Sequence, residues 1–320
     1  MRRKVHDTMH YFLRKLLRLA LVLLLVTSGT FLLLDLLPGD VALALVGNEA
    51  TPAAIAQVRA ELGLDRPWIV RYLHWLGGFL QGDLGRSHIT QVPIMESIFD
   101  RLPVTIELLL LSQALALLIA VPAGVLCAYR AGGLIDRLVS AAALFLLAAP
   151  VFITAILLMF LFALKLRWLP STGYVPFIAA PLGNLAHLAL PALAIGLSEW
   201  PPLFSVLRAD MIKTLQQDYI ALARAKGLSP AFILLRHALR PSSFTLVTIT
   251  GLQVAAAIAG ALVVETVFGL PGVGRMLTGA VYSRDLMLVQ GCVAVISVGY
   301  VLVNFGVDLI YALLDPRVRQ

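Results

Sequence analysis

Six apolar runs, each about as long as the roughly 20 residues a helix needs to cross a bilayer, constrain what this chain of 320 residues can become. They cover 16–37, 104–128, 138–164, 188–206, 243–264 and 289–312. Each run is continuous rather than alternating, so the period-2 pattern of a membrane β-barrel is absent. A segment in hydrocarbon must satisfy its own N–H and C=O groups, which a helix does internally. The expectation is an all-α membrane protein with six transmembrane helices. The composition agrees: 60% of residues are hydrophobic, 13% are charged and the mean hydropathy is +0.90.

The first run follows Arg2, Arg3, Lys4, Arg14, Lys15 and Arg18, like the start of a signal peptide. However, 19–34 is long and no small-x-small cleavage site closes it, which predicts an uncleaved anchor. With the N-terminus inside, 16 Lys and Arg fall on the cytoplasmic side and 9 opposite, five of the latter in one long loop that weighs little. Both termini are therefore expected in the cytoplasm. The net charge of +7 is mostly this bias, with attraction to membrane lipid as its consequence, and nucleic acid is an unnecessary partner. Cys127 and Cys292 sit within apolar spans, where a thiol is a small hydrophobe.

No Gly-x-x-x-x-Gly-Lys-Ser/Thr is present, so any ATP that drives this protein is bound by another chain. There is no His-Glu-x-x-His or Gly-x-Ser-x-Gly, and the six histidines are too scattered for a metal cluster. Neither catalytic nor metal-ligating residues are expected. The run Gly269-Leu-Pro-Gly-Val-Gly274 lacks the strand–turn–helix setting of a phosphate loop and reads as a tight re-entrant turn.

The segment 207–241 joins the fourth and fifth runs. Asp218 is a natural N-cap, Tyr219 to Lys226 favours helix, and Gly227 suits a left-handed C-cap. Ser229 and Pro230 restart a helix that Pro241 limits. This predicts two short basic helices bent at Gly227. On this reading alone the segment either docks a protein or lies on lipid headgroups.

Ala-Arg-Ala-Lys-Gly-Leu (223–228) followed by Leu-Arg-His-Ala-Leu-Arg (235–240) resembles the coupling loop of binding-protein-dependent ABC importer permeases, and more narrowly the dipeptide, oligopeptide and nickel permeases. The resemblance runs in order through Leu37-Pro-Gly-Asp40, Leu62-Gly-Leu-Asp-Arg-Pro67, Gly82-Asp-Leu-Gly-Arg-Ser87, Arg101-Leu-Pro-Val-Thr-Ile-Glu107, Leu188-Ala-Leu-Pro191, Glu265 to Arg275, Arg284-Asp285 and Leu314-Asp-Pro-Arg317. It implies the fold of a type I ABC importer transmembrane domain in a bacterial inner membrane. It also implies that Asp218, Ala221, Arg224, Ala225, Lys226, Gly227, Leu228, Arg236 and His237 couple the spans to an ATPase, with Arg224 and Lys226 meeting acidic residues there.

The chain departs from that pattern in three places. Ala221 stands where the wider motif carries Glu, so no acidic contact is expected at that position. Pro241 replaces the usual Asn and Thr245 the usual Pro, so the exit into the fifth span is expected to break earlier. Ser198-Glu-Trp-Pro-Pro202 is not part of the family pattern, and its two prolines predict a kinked or unwound fourth span near Glu199. An ionisable residue at membrane depth is a functional candidate, so Glu199 is read as lining the translocation path for an amine-bearing substrate, with capping of a broken turn as the structural alternative. Glu107, Glu265 and Asp308 read as structural.

The expected organisation is an N-terminal region 1–100 with a long loop, a permease core 101–314 and a tail 315–320. In the loop, 52–62 and 69–80 read as helices, Thr51 as an N-cap and Gly63 as a stop. By resemblance the loop receives a periplasmic or lipid-anchored substrate-binding protein; otherwise it seals the helix ends. The implied partners are a second homologous permease and two ATPase subunits carrying ATP and magnesium. Short peptides are the first substrate reading and nickel or a nickel chelate the second. A proton-coupled secondary transporter is the rival from another class, and it predicts inverted repeats that the sequence does not show.

Overall fold

The structure, a computed structural model, describes residues 2–36, 46, 51–61 and 63–314. The Leu37-Pro-Gly-Asp40 motif, the tail 315–320 and the side chain of Asp308 lie outside the described residues. The regular elements described are helical, and they gather into two compact units: residues 1–103 with 272–301, and 104–271 with 302–320.

The first unit contains α1 (Arg2–Leu36), α2 (Pro52–Glu61), α3 (Trp68–Leu80), α4 (Ile94–Phe99), α12 (Val273–Ser283) and the start of α13 (Leu286–Leu314). Thr51 caps α2 as its spacing predicts, accepting from the Ala54 amide at 3.3 Å, and Gly63 ends it with φ +64°. An aromatic ladder on α3 fixes its buried face: Tyr72 and Trp75 stack at 6.2 Å, and Trp75 and Phe79 at 5.5 Å. Thr27 of α1 receives two ties, from the Tyr72 hydroxyl at 3.0 Å and, at its carbonyl, from Gln290 Nε2 at 2.9 Å. Asp285 caps α13 by accepting from the Leu288 amide at 3.2 Å, and it also holds the Ser87 hydroxyl and the His88 amide.

The second unit is built on α5 (Leu102–Tyr129), α6 (Leu134–Ala148), α7 (Val151–Leu158, continued by a π-helical turn to Lys165), α8 (Pro181–Leu215), α9 (Asp218–Ala225), α10 (Pro230–Phe232) and α11 (Leu239–Phe268). Its core forms two clusters, one around Leu108, Leu188, Ile195, Val264 and Phe268, the other around Ala120, Trp200, Leu203, Phe204, Leu207 and Met211. Small residues let backbones approach. A Cβ on Gly196 of α8 would sit 3.0 Å from the Ser112 carbonyl oxygen of α5, and one on Gly124 of α5 would sit 3.0 Å from the Leu207 side chain.

Three helical stretches are long and apolar enough to cross a membrane: Ile94–Tyr129, Pro181–Leu215 and Leu286–Val307. Two more exist only as bent pairs, and the apolar part of α1, Leu19–Leu34, is shorter. The run expected to span at 138–164 is bent: α6 and the following helix meet at 104°. Proline is the cause. Pro150 has no N–H to continue α6, and it pushes Ala149 to an extended φ −80°, ψ 122°.

The expected unwinding near Glu199 is also corrected, because α8 stays helical through Pro191, Pro201 and Pro202. Trp200 and Pro201 are buried, and packing on both sides outweighs the two missing donors.

Candidate functional site

The candidate coupling segment begins where α8 ends at Leu215. Gln217, not Asp218, is the N-cap of α9; its backbone is extended (φ −75°, ψ 148°) and its side chain makes no capping bond. Asp218 instead occupies the first turn, where a carboxylate complements the helix dipole. The turn at the other end follows the sequence. Gly227 has φ +75°, its amide donates to the Arg224 carbonyl at 2.9 Å, and the Leu228 amide donates to Ala223 at 3.3 Å. This bond pair defines a Schellman turn and absorbs carbonyls that would otherwise be unsatisfied. Ser229 then caps α10, its hydroxyl accepting from the Phe232 amide at 3.4 Å.

The expected break at Pro241 does not occur. The chain runs from α10 through a π-helical stretch, Ile233–Ala238, directly into α11. Pro241 removes the N–H that an α-turn would bring to the His237 carbonyl, and the Tyr219 hydroxyl donates to that carbonyl at 3.4 Å. The wider π turn tolerates the proline, and Tyr219 ties α9 to the exit.

The hairpin has an inner and an outer side. Ile220, Ala223 and Ile233 are buried together against Leu215, so Ala223 serves internal packing. Outward lie Asp218, Ala221, Arg224, Ala225, Lys226, Gly227, Leu228 and Arg236, all exposed, while His237 is half-buried with its ring 5.4 Å from that of Phe232. Leu222 is 56% exposed, Phe232 47% and Leu235 61%, an amount of open apolar surface that a basic loop does not need for solubility. Sequence reasoning passed over these three residues. The available signal was an eight-residue helix with large aliphatics on both faces, Ile220 and Leu222, of which only one can pack inward.

The base of the hairpin is held from two directions. The Thr214 and Ser242 hydroxyls lie 3.1 Å apart, joining the end of α8 to the start of α11. Seven residues before α8 ends, Arg208 grips Asp136 of α6 with two bonds, Nε to Oδ1 at 2.5 Å and Nη2 to Oδ2 at 2.6 Å, and the Gly132 amide adds a third at 2.8 Å. A bidentate guanidinium–carboxylate pair fixes both position and angle.

Glu199 is only 5% exposed, on α8, and both carboxyl oxygens lack a hydrogen-bond partner among the described residues. Its backbone carbonyl accepts from Gln253 Nε2 of α11 at 3.2 Å. Trp200 Nε1 and both side-chain polar atoms of Gln113 on α5 are likewise buried without partners. Unpaired polar groups in an interior are costly and concentrate where function requires them. Glu107 and Glu265 do have partners: Glu107 Oε2 accepts from the Tyr174 hydroxyl at 2.9 Å and from Asn184 at 2.8 Å, and Glu265 accepts from Thr105 at 2.7 Å. Burial and the neighbouring Glu107 push the Tyr174 phenol up to about 12. Among the described residues, no group of three His, Cys, Asp or Glu is placed to hold a metal ion.

The profile of the family described as "Binding-protein-dependent transport system inner membrane component" matches residues 120–320, and that of its N-terminal region matches residues 8–109. A Brucella abortus chain named as a peptide transport system permease protein is 41% identical over 298 residues, covering 93% of this chain and 95% of that one. The glutathione transport system permease protein GsiC of Pectobacterium atrosepticum is 36% identical, with 97% and 99% covered. The dipeptide transport system permease protein DppB of Alkalihalophilus pseudofirmus is 34% identical at the same coverage. Among solved structures, a chain of the inward-facing MetNI methionine ABC transporter superposes with a TM-score of 0.56 at 16% identity, covering 69% of this chain and 98% of that one, a likeness of fold.

Proposed function

The chain belongs to the binding-protein-dependent transport system inner membrane components, and from that premise we propose that it is the permease through which an ATP-driven importer passes short peptides. The observation that carries the reading is the exposed hairpin 218–240, which presents Leu222, Phe232 and Leu235 beside Arg224, Lys226 and Arg236. Apolar anchors with a cationic rim fit a groove on a protein partner, here an ATPase subunit with acidic groups. The Schellman turn, the Ile220–Ile233 contact and the Tyr219 tie make the hairpin stiff, and the Arg208–Asp136 clasp gives it a rigid base. A push on the hairpin then moves α8 and α11 rather than dissipating in the loop.

The peptide assignment draws on relatives named for peptide, dipeptide and glutathione transport. A substrate-binding protein delivers the peptide, a second permease completes the pathway, and two ATPase subunits carry ATP and magnesium. Closure and opening of the ATPase pair shift the permeases between two states. Glu199, enclosed here, joins the pathway in the state in which α8 and α11 part, and there it meets the peptide ammonium.

Leu222→Asp combined with Arg236→Glu, at two exposed positions, is the test. The permease should still insert and melt normally, while ATPase subunits no longer co-purify and uptake falls to background. Full ATPase retention by the double variant would overturn the docking assignment. A Glu199→Gln protein with unchanged uptake and unchanged peptide preference would remove Glu199 from the pathway.

A further inference from the structure

A cavity of about 310 Å³ lies in the first unit, and none of its lining residues belongs to the coupling segment. Its walls come from the end of α1 (Phe31, Leu34), from the segment before α3 and α3 itself (Arg66, Arg71, His74), from His88, and from the start of α13 (Met287, Gln290). Its depth in the membrane follows from the helices that line it. The apolar part of α1 ends at Leu34 and the apolar stretch of α13 begins at Leu286, and the cavity touches both residues. One apolar helix and one helix long enough to cross a bilayer both terminate at the cavity, so it opens where hydrocarbon gives way to headgroups.

The polar lining is cationic. Arg66 and His74 are exposed at the rim, and the Arg71 guanidinium lies 5.6 Å over the Phe31 ring. The nearby Asp285 is already occupied by Ser87, the His88 amide and the first turn of α13. Deeper in, Gln290 is 1% exposed; its amide nitrogen is committed to the Thr27 carbonyl, and its Oε1 is buried without a partner among the described residues. His88 Nδ1 is also buried without one.

We propose that this cavity is a binding site for an aminophospholipid. The phosphate lies against the Arg66 guanidinium and the His74 imidazole, the primary amine donates to Gln290 Oε1, and an acyl chain runs along Phe31 and Leu34. Guanidinium groups suit phosphate oxygens, and an N–H donor satisfies the amide oxygen that no described residue meets. Leu32, Leu33 and Leu36 on the same stretch of α1 are exposed, which extends the apolar surface available to the acyl chain.

The test is native mass spectrometry of the full-length protein released from nanodiscs containing phosphatidylethanolamine, phosphatidylcholine or diacylglycerol. The wild type should retain phosphatidylethanolamine, retain less phosphatidylcholine, which has no N–H, and retain no diacylglycerol. Arg66→Gln with His74→Gln should lower retention about tenfold, the loss of roughly one charge-assisted hydrogen bond. Leu34→Trp, which fills the apolar end and keeps every charge, should lower it as well, and unchanged melting of each variant shows that the fold persists. Equal retention by the wild type and both variants overturns the site. Displacement of the lipid by inorganic phosphate alone makes it a free-anion site and overturns the lipid assignment.

Discussion

Replacing Gly227 separates the geometry of the coupling hairpin from its contacts. The residue has φ +75°, and a Cβ there meets nothing within 4 Å, so the effect of a side chain is conformational and not steric. An L-residue held in the left-handed region costs about 1 kcal/mol as Ala, less as Asn, and roughly 2 kcal/mol when β-branched as Val. The Leu228 amide bond to Ala223 exists only while the turn is formed, so hydrogen exchange at that amide reads the free energy of opening. Protection should fall about fivefold in Gly227→Ala and roughly thirtyfold in Gly227→Val, with Gly227→Asn nearest the wild type. Exchange measured by mass spectrometry over the 223–232 segment in nanodiscs provides the assay, with uptake per ATP hydrolysed as the functional counterpart. Equal protection in all four proteins would refute the reasoning, because the turn would then not depend on a left-handed residue.

Asp136→Ala removes both Arg208 bonds, the Gly132 bond and a long bond from Ser140 and strands Arg208, at a cost of about 3 kcal/mol, near the low end for a broken buried pair because the Arg208 side chain is 28% exposed. A double-mutant cycle on melting temperature should show strong coupling, and additive effects would dismiss the clasp. Gly196→Val drives a side chain against the Ser112 carbonyl, 3.0 Å from the first added carbon, and should destabilise the contact between α5 and α8 by about 1–3 kcal/mol; an unchanged melting point would show that the helices slide freely. The Tyr174 phenol should ionise near 12 rather than near 10, read from the absorbance difference between the wild type and Tyr174→Phe. Because its proton is held more tightly in the folded state, Tyr174 contributes stability that is present below pH 10 and lost as pH rises through 12, so a flat stability profile in that window would contradict the burial and the Glu107 bond.

Local chemistry made much of this legible. Thr51, Gly63, Gly227 and Ser229 do what their residue types require, because capping and left-handed turns depend on a few neighbouring backbone groups. The errors lie where distant packing competes with proline. Pro201 and Pro202 remove two donors, yet Trp200 and Pro201 are buried, and the helix holds. Pro150 lies inside the apolar run 138–164, and the helices on either side of it meet at 104°. The outward display of Leu222, Phe232 and Leu235 was also hidden, since spacing alone does not say which face of a short helix is covered.

By itself, then, the sequence determined that this is a helical membrane protein whose basic segment at 218–240 is bent at Gly227, because hydropathy length and left-handed preference are properties of the residues themselves. Only the tertiary structure decided that Asp136 clasps Arg208, that Tyr219 supports the carbonyl freed by Pro241, and that Glu199 is shut in without a partner. Those outcomes join residues tens of positions apart, or leave one unmet, and they follow from which helix faces pack together, which no local pattern encodes.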